Sequence, residues 1–231
     1  MNRVLDTIKY VLNKSNQVDI NESKVELFCK NFEKSHINHW INISPYDLSN
    51  LNNKEKLHFL LVFNSISFSY WGEPKWTIEY KGEKFDGAFG MIACLGKAIE
   101  SRIPILNMGW LSNINKSDFE KITNGNTIIP LIDNRVKILR EVGDVITNKF
   151  KGDFSNLVSK ADKDVTTLLD LIIAEFPSFE DSSIYKGRRV YFYKRAQLLI
   201  SDINQLFSGH GYGNFKNINQ LTACADYKIP Q

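Results

Sequence analysis

Between Lys54 and Ile66 the chain carries Leu57, Phe59, Leu60, Leu61, Val62 and Phe63, a run that is apolar on nearly every side of a helix. A helix with one apolar stripe rests on a surface, whereas one apolar all round is stable only when buried. This stretch therefore reads as a buried helix, and the fold has to supply other elements to cover it. The chain has 231 residues, 43% of them hydrophobic, which is enough for one compact domain with a sizeable core. No repeat, linker or shift of composition divides it, so residues 1–231 read as a single domain.

The covering elements are mostly helices. Val4, Leu5, Ile8, Val11 and Leu12 recur at helical spacing, and Val25-Glu-Leu-Phe28 follows a capping Asn21 or Ser23. Residues 87–100, with Phe89, Met91, Ile92, Cys94 and Leu95, read as another buried helix, and 130–146 as an amphipathic one. Val165, Leu168, Leu169, Ile172, Ile173 and Phe176 give the strongest helical pattern, which Pro177 ends. A further helix is expected from Val190. The one β element expected is a small hairpin over 74–86, turning at Lys81-Gly82. The fold class is thus mainly α with one small β-hairpin.

Composition excludes several functions. A net charge of +3 is too small for a dedicated duplex binder, so no stable nucleic-acid complex is expected. Cys29, Cys94 and Cys224 are odd in number and far apart, which suits reduced thiols better than disulfides or zinc. His36 and His39 could share a metal, but no third ligand is near in sequence. The amino-terminal stretch lacks the apolar core of a signal peptide, and no apolar run reaches membrane-span length. The expected location is the cytoplasm.

Two carboxy-terminal stretches hold charges among apolar neighbours, where ionised groups need a partner or ligand. On a helix from Val190, Phe192, Ala196, Leu199 and Ile203 form a core stripe, with Lys194, Gln197 and Ser201 opposite. Lys194 suits a phosphate anchor, and Arg195 and Asp202 suit each other as an ion pair. In the closing Leu221-Thr-Ala-Cys-Ala-Asp-Tyr-Lys-Ile-Pro-Gln231, Asp226 follows small residues and precedes Tyr227. As it stands, Asp226 reads equally as a helix cap and as a catalyst. Phe68, Tyr70 and Trp71 offer either core packing or a wall for a flat base. The glycine-rich 209–213 loop lacks what surrounds a P-loop and reads as a turn.

Several of these stretches together resemble the queuosine salvage proteins, the queuosine 5′-phosphate N-glycosylase/hydrolase family. They are Asn64-Ser-Ile-Ser-Phe-Ser-Tyr-Trp71, Trp76-Thr-Ile-Glu-Tyr-Lys-Gly82, Phe176-Pro-Ser-Phe-Glu-Asp181, Tyr185-Lys-Gly187, Phe192-Tyr-Lys-Arg-Ala-Gln197 and the closing stretch just quoted. The chain departs from the family at Ala88-Phe89, commonly Tyr-Trp, and at Ala223-Cys224, often Met-Phe. Family members also continue past the Pro230-Gln231 pair, so a carboxy-terminal segment is expected to be lacking. The resemblance implies a helical domain similar to the helix-hairpin-helix DNA glycosylases. It implies hydrolysis of the N-glycosidic bond of queuosine 5′-monophosphate, releasing queuine, a 7-deazaguanine base, for reuse in tRNA modification, with no metal or organic cofactor. It assigns Asp226 as the catalytic residue and Lys194 as the phosphate contact. Tyr227, Phe68, Trp71 and Asp202 complete the expected substrate site. Two other readings remain open: a nucleic-acid base glycosylase of related fold, and a non-catalytic nucleotide-binding module.

Overall fold

A computed structural model describes residues 3–17, 19–32 and 39–226 of the chain. His36 and Tyr227 lie outside the described residues. The first two helices, α1 (Arg3–Lys14) and α2 (Glu22–Asn31), precede the central one, α3 (Asn53–Ile66). Asn52 and Glu55 form a capping box at the start of α3, and every residue from Leu57 to Ile66 is buried. The apolar run thus lies where its composition demands.

A hairpin follows α3: β1 (Thr77–Tyr80) pairs antiparallel with β2 (Glu83–Asp86), Thr77 opposite Asp86. It leads straight into α4 (Gly87–Glu100) and packs on it. Two short helices, α5 (Met108–Leu111) and α6 (Lys116–Ile122), lie on the long α7 (Ile132–Phe150). At the α5 crossing, a Cβ on Gly143 would stand 2.3 Å from the Ser112 backbone nitrogen, so only glycine permits this approach. Next come α8 (Phe154–Lys160) and α9 (Val165–Glu175), the latter ended before Pro177 as its pattern predicts. The helices α4, α7, α8 and α10 (Lys194–Leu206) all pack against α3.

The expectation of one hairpin is corrected: a second stands between α9 and α10. Strands β3 (Ser182–Tyr185) and β4 (Arg188–Tyr191) pair antiparallel and turn at Lys186-Gly187. Both turn residues have positive φ, 45° and 80°, as in the first hairpin, where Lys81 and Gly82 lie at 51° and 82°. Such paired values match the twist of two-residue hairpin turns. The helix expected from Val190 accordingly begins only at Lys194. Tyr193, at φ 51°, breaks the path between strand and helix.

The carboxy end of α3 meets two buried cations. A helix leaves its last carbonyls without partners inside the helix. Arg195 donates to the Ser65 carbonyl and Arg135 to the Ile66 carbonyl. Arg135 is wholly buried on α7 and also bonds the carbonyls of Phe68 (2.5 Å), Ser69 (2.9 Å) and Pro130 (3.0 Å). Arg195 reaches the Ser178 carbonyl as well. Burial pulls both guanidinium pKa values below the usual value, and several carbonyl dipoles compensate each charge. Arg135→Met would leave these carbonyls unpaired and is expected to cost about 3–5 kcal/mol of unfolding free energy. Urea denaturation measures it; a loss below about 1 kcal/mol would mean that water replaces the arginine without penalty.

Candidate active site

The segment 67–71, held by Arg135 at its start, forms one wall of an open pocket of about 420 Å³. Ser67, Phe68, Ser69, Tyr70 and Trp71 line it together with Lys75, Asp86, Gly87, Ala88, Lys194 and Asp226. Of the residues expected from the sequence, the structure therefore brings Phe68, Trp71, Lys194 and Asp226 to one cavity. Trp71 is 65% exposed at the rim. Phe68 is half-buried, with the Arg135 and Arg195 guanidiniums 4.4 and 5.0 Å from its ring centre. Those cations fix the Phe68 ring as part of the wall.

Lys194 and Asp226 meet directly: Nζ donates to Oδ2 at 2.5 Å, with the side chains 27% and 31% exposed. Each partner is held from its own side. Lys194 is the first residue of α10, and its backbone N–H donates to both carboxylate oxygens of Asp181, at 3.1 and 3.2 Å. Asp181 thus satisfies an amide that the helix leaves unpaired. Burial raises the Asp181 pKa, while these amide bonds oppose the rise. The terminal stretch is tied down one helical turn further along α10. Buried Gln197 accepts the Thr222 N–H at 2.8 Å and donates to the Thr222 hydroxyl at 2.9 Å. Two side chains three residues apart on one helix thereby fix the course of the stretch that carries Asp226.

The sequence placed Gln197 on an outer face, and it is buried instead. Its roles and that of Asp181 went unread, although both stand inside the quoted motifs. Cys224, between Thr222 and Asp226, has its thiol pKa raised by burial, which disfavours a thiolate nucleophile there.

The expected Arg195–Asp202 pair does not form. Arg195 turns to the carboxy end of α3, whose unpaired carbonyls are the stronger demand. Asp202, two turns later, is 3% exposed and accepts from Trp40 Nε1 and Asn64 Nδ2, both at 2.9 Å. His39 Nε2 lies 3.6 Å away, its own pKa lowered by burial. Asp202 is absent from the lining of the pocket that holds Lys194 and Asp226.

Another surface cleft, of about 500 Å³, opens elsewhere, near Lys54 and Arg102. Its buried His58 is spent on structure: Nδ1 donates to the Leu106 carbonyl and Nε2 accepts the Phe154 N–H. The pocket between 67–71 and α10 joins a carboxylate and an ammonium, in direct contact with each other, with aromatic walls.

A family model described as queuosine salvage protein matches residues 48–231. The chain belongs to the queuosine salvage protein family. A relative from Sphaerobacter thermophilus, named queuosine 5′-phosphate N-glycosylase/hydrolase, is 41% identical over 75% of this chain and 54% of its own length. A relative of the same name from Bos taurus is 34% identical over 76% of this chain and 53% of its own. A third, from Schizosaccharomyces pombe, is 28% identical, with 100% of this chain matched and 72% of the relative. The chain spans about half the length of the first two. All the pocket residues fall within the stretch that the queuosine salvage model matches.

Burial raises the Asp202 pKa to about 6, with the Asn64 and Trp40 bonds opposing. Its folded value thus exceeds its unfolded one. The associated stability is complete below the ordinary carboxylate range, near 4, and is lost as pH rises through about 6. Asp202→Asn removes this titration. Relative to the parent chain, its unfolding free energy should rise by on the order of 2–3 kcal/mol between pH 4 and 7. A difference that stays flat across that window would overturn the raised value.

Proposed function

We propose that this chain hydrolyses the N-glycosidic bond of queuosine 5′-monophosphate, releasing queuine for reuse in tRNA modification. The observation that carries the reading is the Lys194–Asp226 pair on the wall of an aromatic-lined pocket, in a chain whose relatives bear that activity in their names.

The chemistry follows from the charge that the reaction develops. As the bond from ribose C1′ to the base nitrogen breaks, its electron pair leaves with the base and the ribose becomes oxocarbenium-like. A carboxylate beside C1′ stabilises that positive charge. Asp226 supplies it, either by taking a proton from the attacking water or by first bonding C1′ and then being released by water. In both courses hydroxide adds to C1′ and the water's remaining proton ends on the departing base. Lys194 holds the carboxylate in place. Trp71 and Phe68 flank the space for a flat base, and Tyr227 is assigned to the sugar beside Asp226. Asp202, outside the pocket lining, ties Asn64 of α3 and Trp40 to α10.

The preponderance of helices around one buried helix supports a scaffold related to the helix-hairpin-helix DNA glycosylases. The three free cysteines support a reducing, cytoplasmic setting. With a net charge of +3 the chain is suited to a small nucleotide and not to a lasting nucleic-acid complex.

The decisive assay is release of free base from queuosine 5′-monophosphate, followed by chromatography. Asp226→Asn should lower kcat by about 10²–10³ while leaving the fold intact. Undiminished turnover in that variant would sink the role of Asp226. A ligand that raises the melting temperature of the parent chain without any base release would leave a binding module instead. Gln197→Leu, which unties Thr222, should lower kcat by roughly 10²-fold with little change in KM, since it displaces the catalytic group without touching the ligand.

A further inference from the structure

The charges that line the pocket form two ion pairs on different elements. Lys194 and Asp226 are joined at 2.5 Å and largely shielded. Lys75 and Asp86 are joined at 2.6 Å, with side chains 62% and 51% exposed. Lys75 lies two residues before β1 and Asp86 ends β2, and both line the cavity. Among the described residues, Lys75 and Lys194 are the only cationic side chains of the lining.

We propose that Lys75 is the residue that takes the 5′-phosphate and sets the preference for a nucleoside monophosphate over the free nucleoside. The proposal rests on the reading of the pocket given above and departs from the sequence expectation, which gave the phosphate to Lys194. A ribose separates C1′ from the 5′-phosphate by the ring and one methylene. With C1′ at Asp226, the phosphate meets the wall away from that carboxylate. Lys194 is committed to Asp226, and a Lys194 drawn to the phosphate would leave the carboxylate without its ammonium. Lys75 has no such duty.

The Lys75–Asp86 pair is also easily exchanged. An exposed Lys–Asp contact contributes little, because water solvates both groups nearly as well. A phosphate monoester carries nearly two negative charges and offers three acceptor oxygens, so it outcompetes one carboxylate for an ammonium. Asp86 has an alternative ready. It occupies the N-cap position of α4, yet its side chain makes no capping hydrogen bond while it faces Lys75. Released, it can turn to cap α4, as aspartate does at that position. The lysine changes partner and the aspartate gains one.

The test compares queuosine 5′-monophosphate with the dephosphorylated nucleoside. For Lys75→Met, the ratio of kcat/KM for the nucleotide over that for the nucleoside should fall about tenfold, through KM and not kcat. Lys75→Arg should recover most of the ratio. Asp86→Asn, which removes the competing carboxylate, should lower KM for the nucleotide. A ratio unchanged in Lys75→Met overturns the proposal while the hydrolase reading stands. If the parent chain cleaves neither compound, the hydrolase reading fails, and calorimetric titration of both compounds into the parent and Lys75→Met proteins decides the matter. A nucleotide preference lost with Lys75 then upholds the phosphate contact; a preference kept, or never present, overturns it.

Discussion

Everything near the candidate site hangs on how the carboxy end of α3 is satisfied. That helix is buried throughout its second half, so water does not reach its last carbonyls. Unpaired buried carbonyls are costly, and two arginines from different helices meet them, Arg135 from α7 and Arg195 from α10. Guanidinium suits the task because its fork of donors reaches several carbonyls at once and it stays charged under all ordinary conditions. The negative end of the α3 dipole adds to the attraction. The same arginines hold Phe68 and Ser69, through the Arg135 bonds and the stacking of both cations on the Phe68 ring. The wall of the pocket is therefore a by-product of terminating the central helix.

Helix α10 carries the other half of the arrangement. Its first turn supplies Lys194 to Asp226, Arg195 to α3 and Gln197 to Thr222, while its inner stripe of Ala196, Leu199 and Ile203 is buried in the core. A rigid helix anchored by apolar packing thus positions an otherwise irregular terminal stretch. Such a site is stiffer than its loop origin suggests, since two bonds from one turn of helix fix it.

What the sequence revealed follows from which forces are local. The buried helix α3, the bounds of α4 and the end of α9 before Pro177 were legible, because periodicity and proline act within one element. The second hairpin was not. Around Lys186-Gly187 neither strand has an alternating buried face, since Arg188 and Arg189 are exposed and only Val190 is buried. Its one local signal is the Tyr-Lys-Gly turn, shared with the first hairpin, and the apolar Val190-Tyr-Phe-Tyr193 run masked it by reading as helix. The supposed Arg195–Asp202 pair failed for a related reason. Reach and sign along α10 allow it, but the carbonyls that claim Arg195 lie on α3 and near Ser178, far away in sequence. Asp226 and Lys194 were legible through the family resemblance, and Phe68 and Trp71 through their aromatic faces; the pocket brings all four together.

The two ion pairs of the pocket differ in the way that a division of labour requires. A catalytic carboxylate has to be present and oriented before substrate arrives, because reorganising charges during the reaction adds to the barrier. The Lys194–Asp226 pair meets this need: partial burial strengthens its attraction, and Asp181, Gln197 and Thr222 hold both ends. A binding contact has the opposite need, since an ammonium locked in a strong pair has little left to offer a ligand. The Lys75–Asp86 pair, exposed and screened by water, keeps its cation available. Burial alone thus separates an ion pair suited to chemistry from one suited to recognition, although each joins a lysine to an aspartate at nearly the same distance.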